Sequence, residues 1–299
     1  RYGDKLPDDT RIELAFADKY SPKDGPSAAV VSALLCDSIL SGDEIDEGFA
    51  ATGDMTATGE VRPIGGLAGK IRGAIKKECT LLAAPKSNET SVNDLSLIEG
   101  IKPLYEIQIF TMETFEEARA VAMKERPDAV QNAIDDFAMV QIALNKDEKY
   151  LGNAKVREKL RTIVKLAPNH VSARLLFLHS VKKGPSTLSL PGSLVAIEKA
   201  ASDFSTMLVD GTFMQTGGND NVLFGLVNEI ARMRPMLDKR TLPYCDSFGD
   251  MASYMKTIRS RTTLDNSHIR EINAHITTIK NERNKLRNNK EVREELMLD

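Results

Sequence analysis

The segment TGDMTATGEVRPIGGLAGK, Thr52–Lys70, sets glycines, a proline and short β-branched runs between stretches of different periodicity. Residues 47–53 read as a strand, the turn at Ala57–Gly59 reverses the chain, and a second strand follows. From Gly66 the period changes. Leu67, Ile71, Ala74 and Ile75 recur at i, i+4, i+7 and i+8, which predicts a helix over 66–78 with one apolar stripe. Strand, turn, strand and helix in so short a span point to a mixed α/β fold.

Working outward, the upstream run SAAVVSALLCDSIL predicts a helix over 27–41 that stops at Gly42, a residue able to take the left-handed conformation past a helix end. Its first turn is small, so the helix start can lie close against other backbone. Before it come a strand over 11–16 and a loop over 17–26; after Lys70 come a strand over 80–84, a helix over 91–99, a strand over 104–110 and a helix over 113–124. The pattern changes at residues 124–128. Beyond Pro127, long apolar-periodic segments predict helices over 128–144, 148–166, 170–182, 193–209, 219–234 and 246–299, the last broken near 262–266. The fold class expected is α+β, with a mixed α/β domain over 1–126 followed by an all-α helical domain over 127–299. Two apolar runs around Pro168 suggest one tetratricopeptide-like helix pair, with no second copy at the ~34-residue period of an array. The polar end, HITTIKNERNKLRNNKEVREEL, reads as a solvated helix face.

Composition bounds the function. With 299 residues, 41% hydrophobic and 28% charged, the chain is an ordinary globular sequence of about two domains. A net charge of −3 gives no global basic field for a nucleic-acid backbone. No stretch approaches the ~18 apolar residues of a spanning helix. Cys36, Cys79 and Cys245 lack CxxC spacing and are expected as buried thiols. The chain opens on Arg1 and soon enters a strand-like run, with neither the basic nor the apolar region of a signal peptide. That predicts a fragment or processed product, with localisation left open and the cytoplasm favoured.

The familiar catalytic systems are absent from the sequence: there is no GxSxG, no HExxH, and all four histidines lie after Pro127. His268 and His275 share a helix face but lack a third ligand nearby, so they read as a solvent or packing pair. GGLAGKI is not a phosphate loop. A Walker A motif needs Gly at 64 and Ser or Thr at 71, where the chain has Ile64 and Ile71. No cofactor or metal is expected. What remains is Ser27, delivered by the turn Asp24-Gly25-Pro26 to a helix start, where N–H groups could hold an oxyanion; an ordinary N-cap serine is the commoner meaning of such a residue. Lys70 sits on the edge of the apolar stripe, whereas Arg72 and Lys76 point the other way. Desolvation disfavours an ammonium, the condition under which a lysine serves as a base near neutral pH; a lysine whose stem merely covers the stripe is equally compatible with this periodicity.

Lys23-Asp24-Gly25-Pro26-Ser27-Ala28 resembles the KDGPSA nucleophile motif of Lon-type serine peptidases, and residues 52–70 are similar to that family's TGE-I-T-x-x-G-x-V-x-P-I-G-G-L-x-x-K segment. Lys70 follows Ser27 by 43 residues, as in the family. The likeness continues through LLAAPKSN (81–88) and IQIFTMETFEEA and covers about residues 10–120, not the helical half. The resemblance implies peptide-bond hydrolysis with Ser27 as nucleophile, Lys70 as general base and Thr52 hydrogen-bonding the lysine, while Asp24, Gly25, Pro26 and Ala28 shape the nucleophile turn and oxyanion region. Ala29 stands where the family usually has Gly, Asp54 replaces Glu, and Glu13 and Ala15 stand where many bacterial members carry His. These departures touch the surroundings of the dyad and leave it intact.

The resemblance further implies protein or peptide substrates, a homo-oligomer with a six-membered ring as the family arrangement, and further strands and a helix ahead of Arg1, which an associated N-terminal fragment of the same protein could supply. Without a Walker A motif, cleavage of unstructured peptides is expected to be ATP-independent. The alternative is an inactive or self-processing Lon-like scaffold whose helical domain binds protein partners.

Overall fold

In the computed structural model, Arg11, Glu13 and residues 25–209, 220–258 and 265–296 are described. Apart from Arg11 and Glu13, the expected strand over 11–16 lies outside the described residues, as do most of the loop over 17–26 and, among the residues named above, Ala15, Lys23 and Asp24. Two compact units divide the chain at Pro185 and Ser186.

In the first unit, β1 (Phe49–Ala51), β4 (Leu81–Pro85) and β5 (Gln108–Met112) form a parallel sheet in the order β1-β4-β5. β2 (Asp54–Met55) and β3 (Val61–Arg62) form a separate antiparallel hairpin around the predicted turn. β4 is buried throughout, and its alternation sorts the core. Ala83 belongs to one cluster with Val30 and Leu34 of α1 (Ala29–Ser41) and Ala118 and Ala122 of α5 (Phe115–Ala122). Leu82 and Ala84 belong to the other, with Ile71 of α2 (Leu67–Lys76), Val92 and Leu95 of α3 (Glu89–Glu99), and Leu104 of α4 (Lys102–Glu106). The predicted strand over 104–110 therefore begins late. Pro103, in the first turn of α4, suits a helix start, and the extended run follows from Gln108.

The composition change near residue 126 falls inside this unit. α6 (Asp128–Lys146), α7 (Ala154–Leu166) and α8 (Val171–Ser180) bury Phe137, Val140, Leu160, Ile163 and Leu176 in the same cluster as Ile109 and Phe110. They also finish the sheet. The outer side of β5 would present unpaired N–H and C=O groups, and residues 169–172 satisfy them. Thr111 N donates to Asn169 O (2.8 Å), Asn169 Nδ2 to Thr111 O (3.0 Å), Ile109 N to Ser172 Oγ (2.9 Å), and Ser172 Oγ to Ile107 O (3.1 Å).

His170 lies fully buried in this seam, its ring 4.3 Å from Phe110 and 4.5 Å from Phe137 between centroids. Its Nδ1 accepts from Ala173 N, which leaves Nε2 to carry the proton and donate to Gln108 Oε1 at 3.1 Å. Burial pushes its pKa down to about 3.

The second unit is helical: α9 (Leu190–Ala200), α10 (Ser202–Val209), α11 (Asp220–Met233), α12 (Leu242–Ile258), α13 (Asn266–Arg287) and α14 (Lys290–Leu296). Phe204, Tyr244, Phe248 and Met251 are buried in it. The predicted helix over 193–209 is two helices meeting at Ala201, because Ser202 and Asp203 favour helix starts. The long predicted helix over 246–299 starts earlier, at Leu242; of its expected break, 262–264 lies outside the described residues, and Asp265 caps α13 by accepting from Ser267 N and His268 N. His268 answers in that capping box, and His275 packs on Tyr254 with centroids 5.3 Å apart, so each histidine has a local structural partner. Of the three thiols only Cys245 is buried; Cys36 and Cys79 are half-buried, a correction to the expectation for both. Among the described residues no helix is long and apolar enough to cross a membrane.

Two outcomes follow from the seam. Truncation after residue 185 should keep a cooperative unfolding transition, whereas truncation after residue 126 should abolish it by uncovering β5 and the Phe110 cluster; thermal melts followed by circular dichroism decide. Because the folded pKa of His170 lies below the ordinary 6.5, its contribution is full above pH 6.5 and is lost as pH falls toward 3, by at most ~1.4 kcal/mol per pH unit. Urea unfolding at pH 7, 5.5 and 4.5 should show that slope in the wild type, and a flatter one in His170→Gln.

Candidate active site

Three separate elements meet around Ser27. Gly25, at φ +83° and ψ 162°, takes a conformation that L side chains rarely adopt and turns the chain into the 3₁₀ segment Pro26–Ala28, which runs straight into α1. Ser27 thus sits half a turn ahead of the helix on a bent segment rather than inside a regular helix. Ala28 is the N-cap residue of α1 and gives no side-chain cap.

Beyond the end of β1, Thr52 N donates to Ala83 O (3.1 Å) and extends the parallel pairing by one step. The next residue docks on the serine turn. Gly53 N donates to Ser27 O (2.9 Å), and Val30 N donates back to Gly53 O (3.2 Å). A Cβ at Gly53 would stand 2.9 Å from Val30 Cγ2 and 3.2 Å from both Met112 Cε and Val61 Cγ1, so this approach requires glycine. The small first turn of α1 permits it, as the sequence suggests.

Lys70, on the second turn of α2, brings its Nζ to 3.3 Å from Ser27 Oγ. Leu67, Ile71 and Ala74 hold the helix by burial while Lys70 itself is half-buried, so its amine remains reachable from the serine side. The loop that starts α2 is fixed by a buried side chain that sequence reading passes over. Asn88, 1% exposed, accepts from Ile64 N (2.9 Å) and donates to Ile64 O (2.7 Å), imitating a strand partner for the PIGG loop.

Thr52 is buried, and its hydroxyl donates to Ser27 O at 3.3 Å. The carbonyl of Ser27 therefore has two donors, Gly53 N and Thr52 Oγ1, which fix the peptide plane behind the serine side chain. Ala29 N donates to Pro26 O and Val30 N to Gly53 O, so both of those helix-start amides are occupied. At its far end α1 is clamped to α5: Arg119 Nε meets the buried carboxylate of Asp37 at 2.7 Å and its terminal nitrogen pairs with Asp43. A groove of about 660 Å³ runs between α1 and the β2–β3 hairpin, lined by Ala33, Cys36, Leu40, Met55, Gly59 and Phe115. Among the described residues no group of three or more His, Cys, Asp or Glu is placed to hold a metal ion.

Ser27, Lys70 and Thr52, distant in sequence, are brought together; Gly25, Pro26 and Ala28 form the turn, and Asp24 lies outside the described residues. Such a constellation sets a lysine amine at the hydroxyl of a serine on a bent helix start, a candidate active site. Residues 4–125 match the model of the Lon protease (S16) C-terminal proteolytic domain. Relatives include Lon protease 1 of Bacillus subtilis, 38% identical over 102 residues, which are 30% of this chain and 13% of that protein. Lon protease of Vibrio parahaemolyticus is 32% identical over 120 residues, 40% of this chain and 15% of that protein. Lon protease of Methanosarcina barkeri is 34% identical over 112 residues, 38% of this chain and 14% of that protein. The likeness to Lon-type proteases is thus confined to residues 4–125. The matches span about a seventh of these relatives' length, and the helices after residue 125 lie outside the family match.

Gly53→Ala should move the serine turn: overpacking of this order costs about 1–3 kcal/mol. The expected result is a lowered melting temperature together with slower labelling of Ser27 by a fluorophosphonate; unchanged labelling would show that the turn does not depend on this approach.

Proposed function

We propose that the chain is a serine endopeptidase in which Ser27 is the nucleophile and Lys70 the general base. The approach of Lys70 Nζ to Ser27 Oγ at 3.3 Å carries the assignment, since a base within hydrogen-bond reach of a hydroxyl is what nucleophilic activation needs. The neutral amine takes the Ser27 proton as Oγ adds to the peptide carbonyl. The lysine then gives that proton to the leaving amine, and water, deprotonated by Lys70, cleaves the acyl-enzyme. Because the amides of Ala29 and Val30 are occupied and Pro26 has none to offer, the oxyanion is held at the amides of Ser27 and Ala28. Thr52 acts as a positioning residue through the Ser27 carbonyl. The groove along α1 and the hairpin offers an apolar surface to an extended peptide.

ATP-independent cleavage of unstructured chains fits a sequence whose glycine-rich segment departs from a nucleotide loop at Ile64 and Ile71. Residues 127–299 serve recognition or assembly. Their first helices seal the proteolytic sheet and their second unit carries no nucleophile–base pair among the described residues. Homo-oligomerisation, which the family resemblance implies, is read by light scattering of the full chain.

Lys70→Gln and Ser27→Ala should each abolish hydrolysis of a fluorogenic peptide and of casein while leaving the melting temperature within a few degrees of wild type. Thr52→Ala should lower kcat about fivefold, the loss of one hydrogen bond worth ~1 kcal/mol. Wild-type kcat in Lys70→Gln would overturn the dyad.

A further inference from the structure

The helical unit contains a cavity of about 510 Å³ between α9, α10, α12 and α13, within the range of small-ligand sites. Leu208, Phe248, Ile276 and Ile279 give it apolar lining. Lys280 and Arg283 share the α13 face with Ile276 and Ile279, and the lining charges do not balance. Glu198, the only acid among the described lining residues, is shared by two guanidinium groups, with Arg283 Nε at 2.7 Å and Arg287 Nε at 3.6 Å. Lys280, also on the rim, has no ion-pair partner among the described residues and is exposed. Two cations thus line the cavity against one carboxylate, and Lys280 is the one left over. Two hydroxyls on α10, Ser202 and Ser205, add further hydrogen-bonding groups.

Apolar lining beside an unpaired lysine and two hydroxyls is complementary to one kind of ligand, an apolar side chain beside a carboxylate. We propose that this cavity captures the C-terminal residue of a polypeptide, with an apolar side chain against Phe248, Ile276 and Ile279 and the terminal carboxylate at Lys280 and Arg283. The assignment builds on the reading of the chain as a peptidase, to which such a pocket supplies substrate recruitment. It uses no residue of the Ser27–Lys70 site. A side-chain carboxylate beside an apolar residue has the same chemistry and is separated by the experiment.

The test uses the full chain with Ser27→Ala, so that no probe is cleaved, and fluorescence anisotropy of a fluorescein-labelled nonapeptide ending in Ala-Leu-Leu with a free carboxylate. Saturable binding is expected, weakened at least tenfold for the same peptide as its C-terminal amide and for an amide carrying an internal Glu-Leu pair. Lys280→Glu, a change on an exposed side chain, should weaken it at least fivefold, and Ser205→Phe, which fills the cavity, should do the same. Equal affinity for acid and amide, wild-type affinity in Lys280→Glu, or no saturable binding would each overturn the proposal. Tight binding of the internal Glu-Leu amide would also overturn capture of a chain terminus. Hydrolysis of a short peptide by the unmodified chain is measured in parallel: binding without hydrolysis removes the peptidase reading and leaves the pocket, whereas hydrolysis without binding does the reverse.

Discussion

The site depends on two reciprocal backbone hydrogen bonds, Gly53 N to Ser27 O and Val30 N to Gly53 O. They join the end of the sheet's first strand to the start of α1 as if the serine turn were one more strand residue. Backbone donors and acceptors have fixed directions, so this pairing sets the height and tilt of the turn over the sheet more tightly than side-chain packing would. The rest is built around it. Glycine at 53 lets the chains approach, Gly25 bends the chain away on the far side, and the Arg119–Asp37 pair holds the other end of α1 against α5.

Lys70 reaches the same point by an independent route. Its helix is anchored by Leu67, Ile71 and Ala74 in the core and started by a loop that Asn88 holds through both backbone groups of Ile64. Ser27 and Lys70 therefore sit on separate supports, α1 in the cluster with Ala83 and α2 in the cluster with Leu82 and Ala84. Their separation is a property of the sheet itself. Damage to either support moves one side chain relative to the other, which makes the approach of Lys70 to Ser27 sensitive to substitutions well outside it.

Much of this was legible in the sequence, for stated physical reasons. The stripe at Leu67, Ile71 and Ala74 located α2, Gly42 located the end of α1, and the two motifs placed Ser27 and Lys70 on the elements that hold them. The late start of β5 was not legible, because an apolar run such as PLYEIQIF suits a buried helix turn as well as a strand. Asn88 and the edge-sealing residues Asn169 and Ser172 were missed for another reason. Their roles are hydrogen bonds to residues 24, 58 and 63 to 65 positions away, and an isolated polar side chain carries no local mark of such a partner.

The change of composition near residue 126 marks where helices replace strands, and the family match ends at nearly the same place. Neither is where the compact unit ends. A parallel sheet must be covered on both faces and its edge strands must be paired or hidden, and the matched segment by itself leaves the outer side of β5 open. Here α6 to α8 bury their apolar residues in the same cluster as Ile109 and Phe110 of β5, and residues 169–172 occupy the open edge. Those helices therefore belong to the proteolytic unit physically although they lie outside the family match. Within the segment 127–299 proposed for recognition or assembly, only residues 186–299 form a separate compact unit, with their own core and their own cavity.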